Sequence, residues 1–564
     1  MRTKKFKFIL FFLFINFILL QALALSKETE KYWFFFTDKG PLNLKKSLQR
    51  SGETLLPKAR ARRAKIKPVD ALVDFTDLPV YRKYIQELKN SGIKPVNQSK
   101  WLNAVSAYAT PEQAAFCSNL NFVLTVQKVR KGKREPVRAQ PELFKGTGPF
   151  QNYALDYGPS FVQNDLVRIP EVHAMGYQGQ GVLIAVLDTG FRLEHIAFSS
   201  INVSASYDFI NRDGNVDNEA NQDVYYQNRH GTIILSMLAG YRPGSLIGAA
   251  YGAEYLLAKT EEDGSETPVE EDYWIAAAEW ADSLGADIIS SSLGYIDWYT
   301  TEDMNGTTAP ITIAADLAVE KGSVVVISAG NDGNNSWRIV GAPADGKHVI
   351  SVGAVDKNGV IAGFSSRGPT PDGRIKPEVV AMGVSDYGVD VNSNDYVSVS
   401  GTSASCPLVA GVAALILTAH PQLNPFQVRE ALLNTAGRNY SPDNTYGYGL
   451  VNAVDAVLYW GQAPEQPATH QLISCFPNPF DISKNNVVRI LFDVQKTTDV
   501  NVDIFNLLGH KVTNLWNGTR QAGKNQRLYW DGKSFSGNIM PSGIYFCKVS
   551  IGPKSHTTKI TLFR

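Results

Sequence analysis

Two short apolar runs stand out, 182–187 (VLIAVL) and 324–327 (VVVI), and each ends in small or polar residues. A strand with one wet face would alternate; an unbroken run of this length predicts a strand buried on both faces, as in a parallel sheet. Buried strands are expected at 254–259, 286–291, 323–328 and 348–354, interleaved with helix-like segments at 269–284, 311–321 and 404–419. That rhythm predicts an α/β, doubly wound parallel sheet. The longest apolar stretch opens with Gly401-Thr402-Ser403-Ala404-Ser405-Cys406-Pro407 and ends at His420-Pro421. Leu408, Val409, Val412, Leu415 and Ile416 follow at helical spacing. Pro407 is expected within the first helical turn, where no N–H is missed. Ser403 then sits at a helix N-terminus, beside unpaired N–H groups and the positive end of the dipole.

The pattern changes on either side of this region. Upstream, an aromatic strand at 32–37 precedes a basic stretch at 58–67, expected to be solvated. A helix marked by Val80, Tyr84, Ile85 and Leu88 ends at Gly92. Strands at 101–109 and 122–129 flank a helix that Thr110-Pro111-Glu112-Gln113 starts and caps. This β-α-β-α-β order predicts a small α+β unit over residues 25–150, ending in a basic and Gly/Pro-containing linker suited to cleavage (130–138, then 146–149). Downstream, a linker at 462–470 leads to residues 471–564, where short β-rich runs divided by Gly, Asn and Asp predict a β-sandwich.

At 564 residues the chain needs several cores. Hydrophobic content of 44% and a formal net charge of +1 describe a globular protein without the basic surface that nucleic acid requires. The four cysteines, Cys117, Cys406, Cys475 and Cys547, show no zinc spacing. Cys406 reads as a small buried apolar residue. Cys475 and Cys547 share the last segment, but without geometry the expectation is that they stay unpaired. Arg2, Lys4, Lys5 and Lys7 precede an apolar stretch from Phe8, and Ala22-Leu23-Ala24 follows. Residues 1–24 therefore read as a cleaved secretory leader rather than a membrane anchor, and no other segment reads as apolar enough to span a membrane.

The candidate chemistry lies at element ends. Asp188 closes the 182–187 strand, His230 stands at the mouth of a helix, and Ser403 begins the long apolar one. Singly each is ordinary; Asp, His and Ser in this chain order form one of the known orders of the Ser-His-Asp triad. Asn331, delivered into a polar loop by the 324–328 strand, offers a side-chain amide to an oxyanion.

With these residues in view, the chain resembles the subtilisin-like serine proteases (subtilases) over roughly 155–461, through AVLDTG, HGT, SAGNDG and GTSASCP. It departs from many relatives at Ile233, where a second His is common, and at Cys406, where a Ser is commoner. The resemblance implies a secreted serine endopeptidase with Asp188, His230, Ser403 and Asn331 as catalytic residues. Backbone around Ser292, Leu293 and Gly294, with Ser328, Ala329, Gly330 and Gly341, would bind substrate. It further implies an open apolar S1 pocket preferring large uncharged P1 residues, unless Asp332 or Asp345 points inward.

No cofactor is expected for catalysis. Structural calcium, common in subtilases, is located by no motif: Asp213-x-Asn215-x-Asp217 echoes a calcium loop but lacks the turn glycine and the spaced Glu, and reads as an exposed loop. SKWLNAVSAYAT and DLPVYRKYI resemble subtilase propeptides, which implies that the chain is its own inhibitor; a permanently attached binding domain is the alternative. Through FPNPF (476–480), DIFNLLG (503–509), WDGK (530–533) and SGIYF (542–546), residues 471–564 resemble type IX secretion sorting domains, although a hook-cap immunoglobulin-like fold would share these motifs. Expected partners are therefore protein or peptide substrates, the propeptide and the type IX machinery, with no nucleic acid, in a secreted or cell-surface setting. A catalytically silent surface adhesin is the rival reading, and the complete set of four residues argues against it.

Overall fold

The unbroken apolar run at 182–187 follows from what covers it. Ile184 and Val186 enter one core with Leu408, Val412 and Leu415 of the helix Thr402–Ala419; Leu183, Ala185 and Leu187 enter another with Trp274 and Ile275 of the helix Val269–Leu284. Successive side chains point to opposite faces, so a strand covered on both sides must be apolar throughout. The computed structural model describes residues 29–130, 142–143, 153, 155–264, 267–461, 473–476, 480–482, 487–494 and 496–564. The leader reading of 1–24 lies outside these residues, as do the linker stretches 131–138, 146–149 and 462–470.

Among the described residues seven parallel strands form the central sheet. Their order is Val379–Met382, Ile350–Val355, Val324–Ser328, Ile288–Ser291, Leu183–Asp188, Glu254–Lys259 and Asn202–Asp208. From Leu183–Asp188 the chain builds two strands on one side, then crosses to build four on the other. Strand order thus reverses between Leu183–Asp188 and Ile288–Ser291, and open α/β sheets place their sites in the crevice beyond the carboxyl ends at such a point. The two strands not foreseen, Asn202–Asp208 and Val379–Met382, are the sheet's edges. The first is polar and half-exposed, and the second is only four residues long. The helix Thr402–Ala419, with mean hydropathy 1.7, is long and apolar enough to cross a membrane, contrary to the expectation that no such segment exists. It is 94% buried between the sheet and neighbouring helices, which accounts for its composition.

The N-terminal unit is a four-stranded antiparallel sheet, ordered Lys94–Ser99, Ala104–Ala109, Glu30–Phe36, Val123–Lys128. Its aromatic strand is also covered twice. Tyr32, Phe34 and Phe36 fill the unit's own core with Leu88 and Ile93, whereas Trp33 packs into the core that holds Trp274. Polar contacts add to this interface: Lys31 Nζ meets Asp272 Oδ1 at 2.6 Å, and Ser99 Oγ donates to Glu279 Oε1 at 2.6 Å.

The basic stretch 58–67 corrects the expectation of a solvated surface. It contains the helix Pro57–Arg63, and Arg62 and Arg63 are both buried. Arg62 pairs with Asp282 Oδ1 and donates to Ala286 O (2.7 Å); Arg63 bridges Asp282 Oδ2 (2.5 Å) and Asp77 Oδ1 (2.8 Å). A guanidinium can be buried when carboxylates and carbonyls meet its fork of donors. Asp282 and Ala286 lie more than 200 positions away in sequence, so composition alone reads as solvated charge.

The C-terminal segment is a β-sandwich. A three-stranded sheet (Ile473–Phe476, Val488–Val494, Gly523–Trp530) shares one apolar core with a five-stranded sheet built around Gly543–Ile551.

Candidate active site

Each candidate side chain stands where a regular element ends. Asp188 is the last residue of its strand and is fully buried. Its Oδ1 accepts the Thr189 N–H (2.8 Å) and lies 2.6 Å from His230 Nδ1. His230 is the second residue of the helix Arg229–Ala239, and Gly231 brings that helix tight against the strand end. A Cβ at Gly231 would fall 2.3 Å from Gly190 O and 3.1 Å from Asp188 Cβ, so a side chain there would push His230 off the carboxylate. The Gly231 N–H donates to Thr189 Oγ1 at 3.1 Å, locking the same junction. Burial works against an imidazolium, but the Asp188 carboxylate outweighs it and holds His230 above its ordinary range. About a third of the His230 side chain (34%) stays exposed, so the ring remains reachable.

Ser403 is the second residue of the helix Thr402–Ala419. Pro407, expected in the first turn, lies beyond it, inside the helix. Its missing N–H would have served Ser403 O; the Ser292 hydroxyl donates to that carbonyl instead, at 2.9 Å. Asn331 is tied to the same helix end. Its Oδ1 accepts from the Thr402 N–H (2.9 Å) and Thr402 Oγ1 (3.1 Å), which leaves Nδ2 to point elsewhere. A Cβ at Gly401 would lie 2.9 Å from Ser403 Oγ and 3.5 Å from Asn331 Nδ2. Glycine therefore keeps open a small space that both groups face. Thr402 escaped the reading of the sequence. Its position inside the GTS run was the available signal, since only the fold reveals that its hydroxyl holds Asn331 and also accepts the Gly330 N–H at 3.1 Å.

The expected substrate-binding residues also come together. Ser292, Leu293 and Gly294 leave the strand Ile288–Ser291, and Ser328, Ala329 and Gly330 leave its parallel neighbour Val324–Ser328. Gly341 precedes Ala342, which exchanges backbone hydrogen bonds with Tyr295 (2.8 and 3.1 Å); a Cβ at Gly294 would lie 3.8 Å from Ala342 O. Asp345 is turned to structural work, accepting from Thr312 Oγ1 (2.5 Å) and the Gly306 N–H (2.8 Å). Asp332 Oδ1 accepts from Asn335 Nδ2 at 2.5 Å. The Cys406 thiol is fully buried against Ser291 O and Val326 O, and burial pushes it up to about 12. It is an inert packing residue, as expected.

For a cation, Asp208, Asp213 and Glu219 place carboxylate oxygens within 4.8 Å of one another, just ahead of His230 in the chain, but Asp208 Oδ2 already meets the buried Lys259 ammonium at 2.8 Å. All-oxygen donors suit a hard ion such as calcium. Asp213 belongs to the loop whose spacing echoed a calcium site, but the carboxylates grouped with it are Asp208 and Glu219, not Asp217. The Asn215 N–H is turned to Asp213 Oδ1 and the Asp217 N–H to Asn215 Oδ1, as in ordinary polar turns.

Comparison with known proteins agrees with this geometry. Residues 179–449 match the subtilase family, 31–142 the Bacteroidota peptidase S8 propeptide domain, and 474–562 a secretion-system C-terminal sorting domain. Subtilisin DY of Bacillus licheniformis is 35% identical over 292 residues, covering 51% of this chain and 94% of its own length. Subtilisin of Bacillus pumilus is 34% identical over the same shares. A thermostable alkaline protease of Halalkalibacterium halodurans is 31% identical over 338 residues, 58% of this chain and 80% of the relative. A parallel sheet with acid, histidine and serine at its element ends, and relatives matched over nearly their whole length, lead to one conclusion: the chain belongs to the subtilase family and is a subtilisin-like serine endopeptidase with a propeptide and a sorting domain.

Proposed function

We propose that the enzyme cleaves peptide bonds through Asp188, His230, Ser403 and Asn331 by way of an acyl-enzyme. Asp188 orients His230 and stabilises its charged form. His230 takes the Ser403 Oγ proton as that oxygen attacks the scissile carbonyl carbon, then returns the proton to the leaving amine. The acyl-enzyme is released by water, activated by the same imidazole. Asn331 Nδ2 and the Ser403 N–H donate to the oxyanion of each tetrahedral intermediate. Calcium, if bound by Asp208, Asp213 and Glu219, would brace the loop ahead of His230 and take no part in the proton transfers. The observation that carries this reading is the pinning of Asn331 Oδ1 by Thr402, which frees the amide N–H groups beside Ser403 Oγ. An organophosphonate probe should label Ser403 and fail on Ser403→Ala, which should fold but not turn over. Turnover by the folded variant would overturn the assignment.

The same reading assigns residues 1–24 to a secretory leader and 25–150 to a propeptide that inhibits the 155–461 peptidase until it is removed. Residues 471–564 then serve outer-membrane export by the type IX route. The Arg62 and Arg63 contacts with Asp282, Trp33 against the Trp274 core, and the pairing of Glu142 and Leu143 with Ser398 and Val397 support an inhibitory complex. Supplied in trans, the propeptide should inhibit at micromolar concentration or below. A chain truncated at Gly461 should not reach the medium. Because Asp345 is engaged with Thr312 and Gly306, the S1 pocket around Gly294, Gly330 and Gly341 is read as apolar, favouring Phe, Leu, Tyr or Met at P1. A P1-varied peptide library checks this, and a dominant preference for Arg or Lys would refute it.

A further inference from the structure

We infer that Cys475 and Cys547 form a disulfide site that joins the two sheets of the C-terminal β-sandwich in the exported protein. The inference rests on the export reading above. Cys475 lies in the strand Ile473–Phe476, opposite Ile490, in the three-stranded sheet. Cys547 lies in the strand Gly543–Ile551, between Ile504 and Thr558, inside the five-stranded sheet. The sequence therefore places one cysteine on each sheet, and the fold turns both inward. Cys475 is 4% exposed and Cys547 is 0% exposed. From opposite sheets the two side chains enter one and the same apolar core.

Other chemistries fit the pair poorly. A structural zinc takes four ligands, and the core around these two sulfurs is apolar, with Val488, Ile490, Val549 and Trp530 among its members. A nucleophilic or redox-active thiol must be reachable, and neither is. An inter-sheet disulfide beside a buried tryptophan is, by contrast, a known way of pinning a β-sandwich. The bond would join positions near the two ends of the domain, and closing a long loop removes much of the freedom of the unfolded chain. Cys117 and Cys406 lie in separate cores, so mispairing is disfavoured.

Formation is a two-electron oxidation, and the oxidant is the disulfide of a thiol oxidase outside the cytoplasm, where protein disulfides persist. One of the two thiols, as thiolate, attacks the oxidase disulfide and releases one oxidase sulfur. The second displaces the other oxidase sulfur from the mixed disulfide. The Cys475–Cys547 bond forms, the oxidase S–S bond is lost, and the oxidase leaves as a dithiol carrying the electron pair and both protons. Since both thiols are enclosed in the finished sandwich, exchange must precede its closure.

The test uses the full-length chain carrying Ser403→Ala, so that proteolysis does not remove the tail. The exported protein is denatured in iodoacetamide without reductant, digested and weighed. The expected result is a linked peptide pair containing Cys475 and Cys547, with Cys117 and Cys406 alkylated. The same chain, purified reduced and refolded in an oxidised-glutathione buffer, should form the same link without export. Linkage in the refolded chain but not in the exported one would overturn the bond in the exported protein, whereas a chain that never leaves the cell would overturn the export reading and leave the refolded pair to decide the inference. Alkylation of both cysteines in a refolded chain whose tail is folded would overturn the pair. Reductant should also lower the unfolding midpoint of the tail by several degrees, and Cys475→Ala/Cys547→Ala should abolish that dependence. An equal midpoint with and without reductant would count against the inference.

Discussion

The hydroxyl of Ser292 donates to the carbonyl of Ser403 across 2.9 Å, filling the hydrogen bond that Pro407 cannot make. A loop at the end of one strand thus steadies the helix turn that carries Ser403. Removing the hydroxyl leaves a partly buried acceptor unpaired, at a cost of about 1 kcal/mol. Ser292→Ala should therefore lower both stability and kcat. In a Pro407→Ala background the restored N–H can serve Ser403 O, and the cost of Ser292→Ala should shrink to a fraction of that value. A double-mutant cycle on the unfolding free energy measures the coupling; strict additivity would contradict the relationship.

Asn331 and Thr402 should act as a pair. Asn331→Ala is expected to lower kcat by about 10²–10³ with little change in KM, because the amide donates to charge that develops only in the transition state. Thr402→Val keeps the backbone N–H on Asn331 Oδ1 but removes the hydroxyl at 3.1 Å. It should produce a smaller loss, again in kcat. A rise in KM alone from either variant would make Asn331 a substrate contact instead.

The pH profile should carry the mark of Asp188. His230 must be neutral to accept the Ser403 proton, and its pKa is held above the ordinary 6.5. The acid limb of kcat/KM is therefore expected above 6.5 and should move down in Asp188→Asn. For stability the sign is opposite. A raised folded-state pKa stabilises the protonated enzyme, so this contribution is complete below 6.5 and disappears as pH rises through the folded value. Denaturant titrations of Ser403→Ala across that range, with and without Asp188→Asn, read it out.

Binding of the propeptide should depend on Arg62. Its side chain and that of Asp282 are each 1% exposed, and truncating one partner of a buried pair costs roughly 2–5 kcal/mol. Arg62→Met in the isolated propeptide should raise the inhibition constant in trans by about thirtyfold or more. An unchanged constant, with the propeptide folded by circular dichroism, would show that Arg62 adds nothing to the contacts made by Trp33, Lys31, Ser99 and Arg63.

The sheet class, the family and the four candidate side chains were legible in the order of residues alone. Residues covered on both faces must be apolar without interruption, and a nucleophile, its base and an oxyanion donor must stand at element ends, so both kinds of signal are written in short stretches such as 182–190 and 401–407. Edge strands carry no such mark, and Asn202–Asp208 passed unread because its outer face is wet. Only the tertiary structure decided the fate of charges and thiols. Arg62 and Arg63 read as solvated until Asp282, some 220 positions away, met them inside an interface. Pro407 moved deeper into its helix because a distant serine could take over the orphaned carbonyl. Cys475 and Cys547 came into one core only because two sheets closed over them. In each case the partner is distant along the chain, and pairing across such a distance is set by packing rather than by local composition.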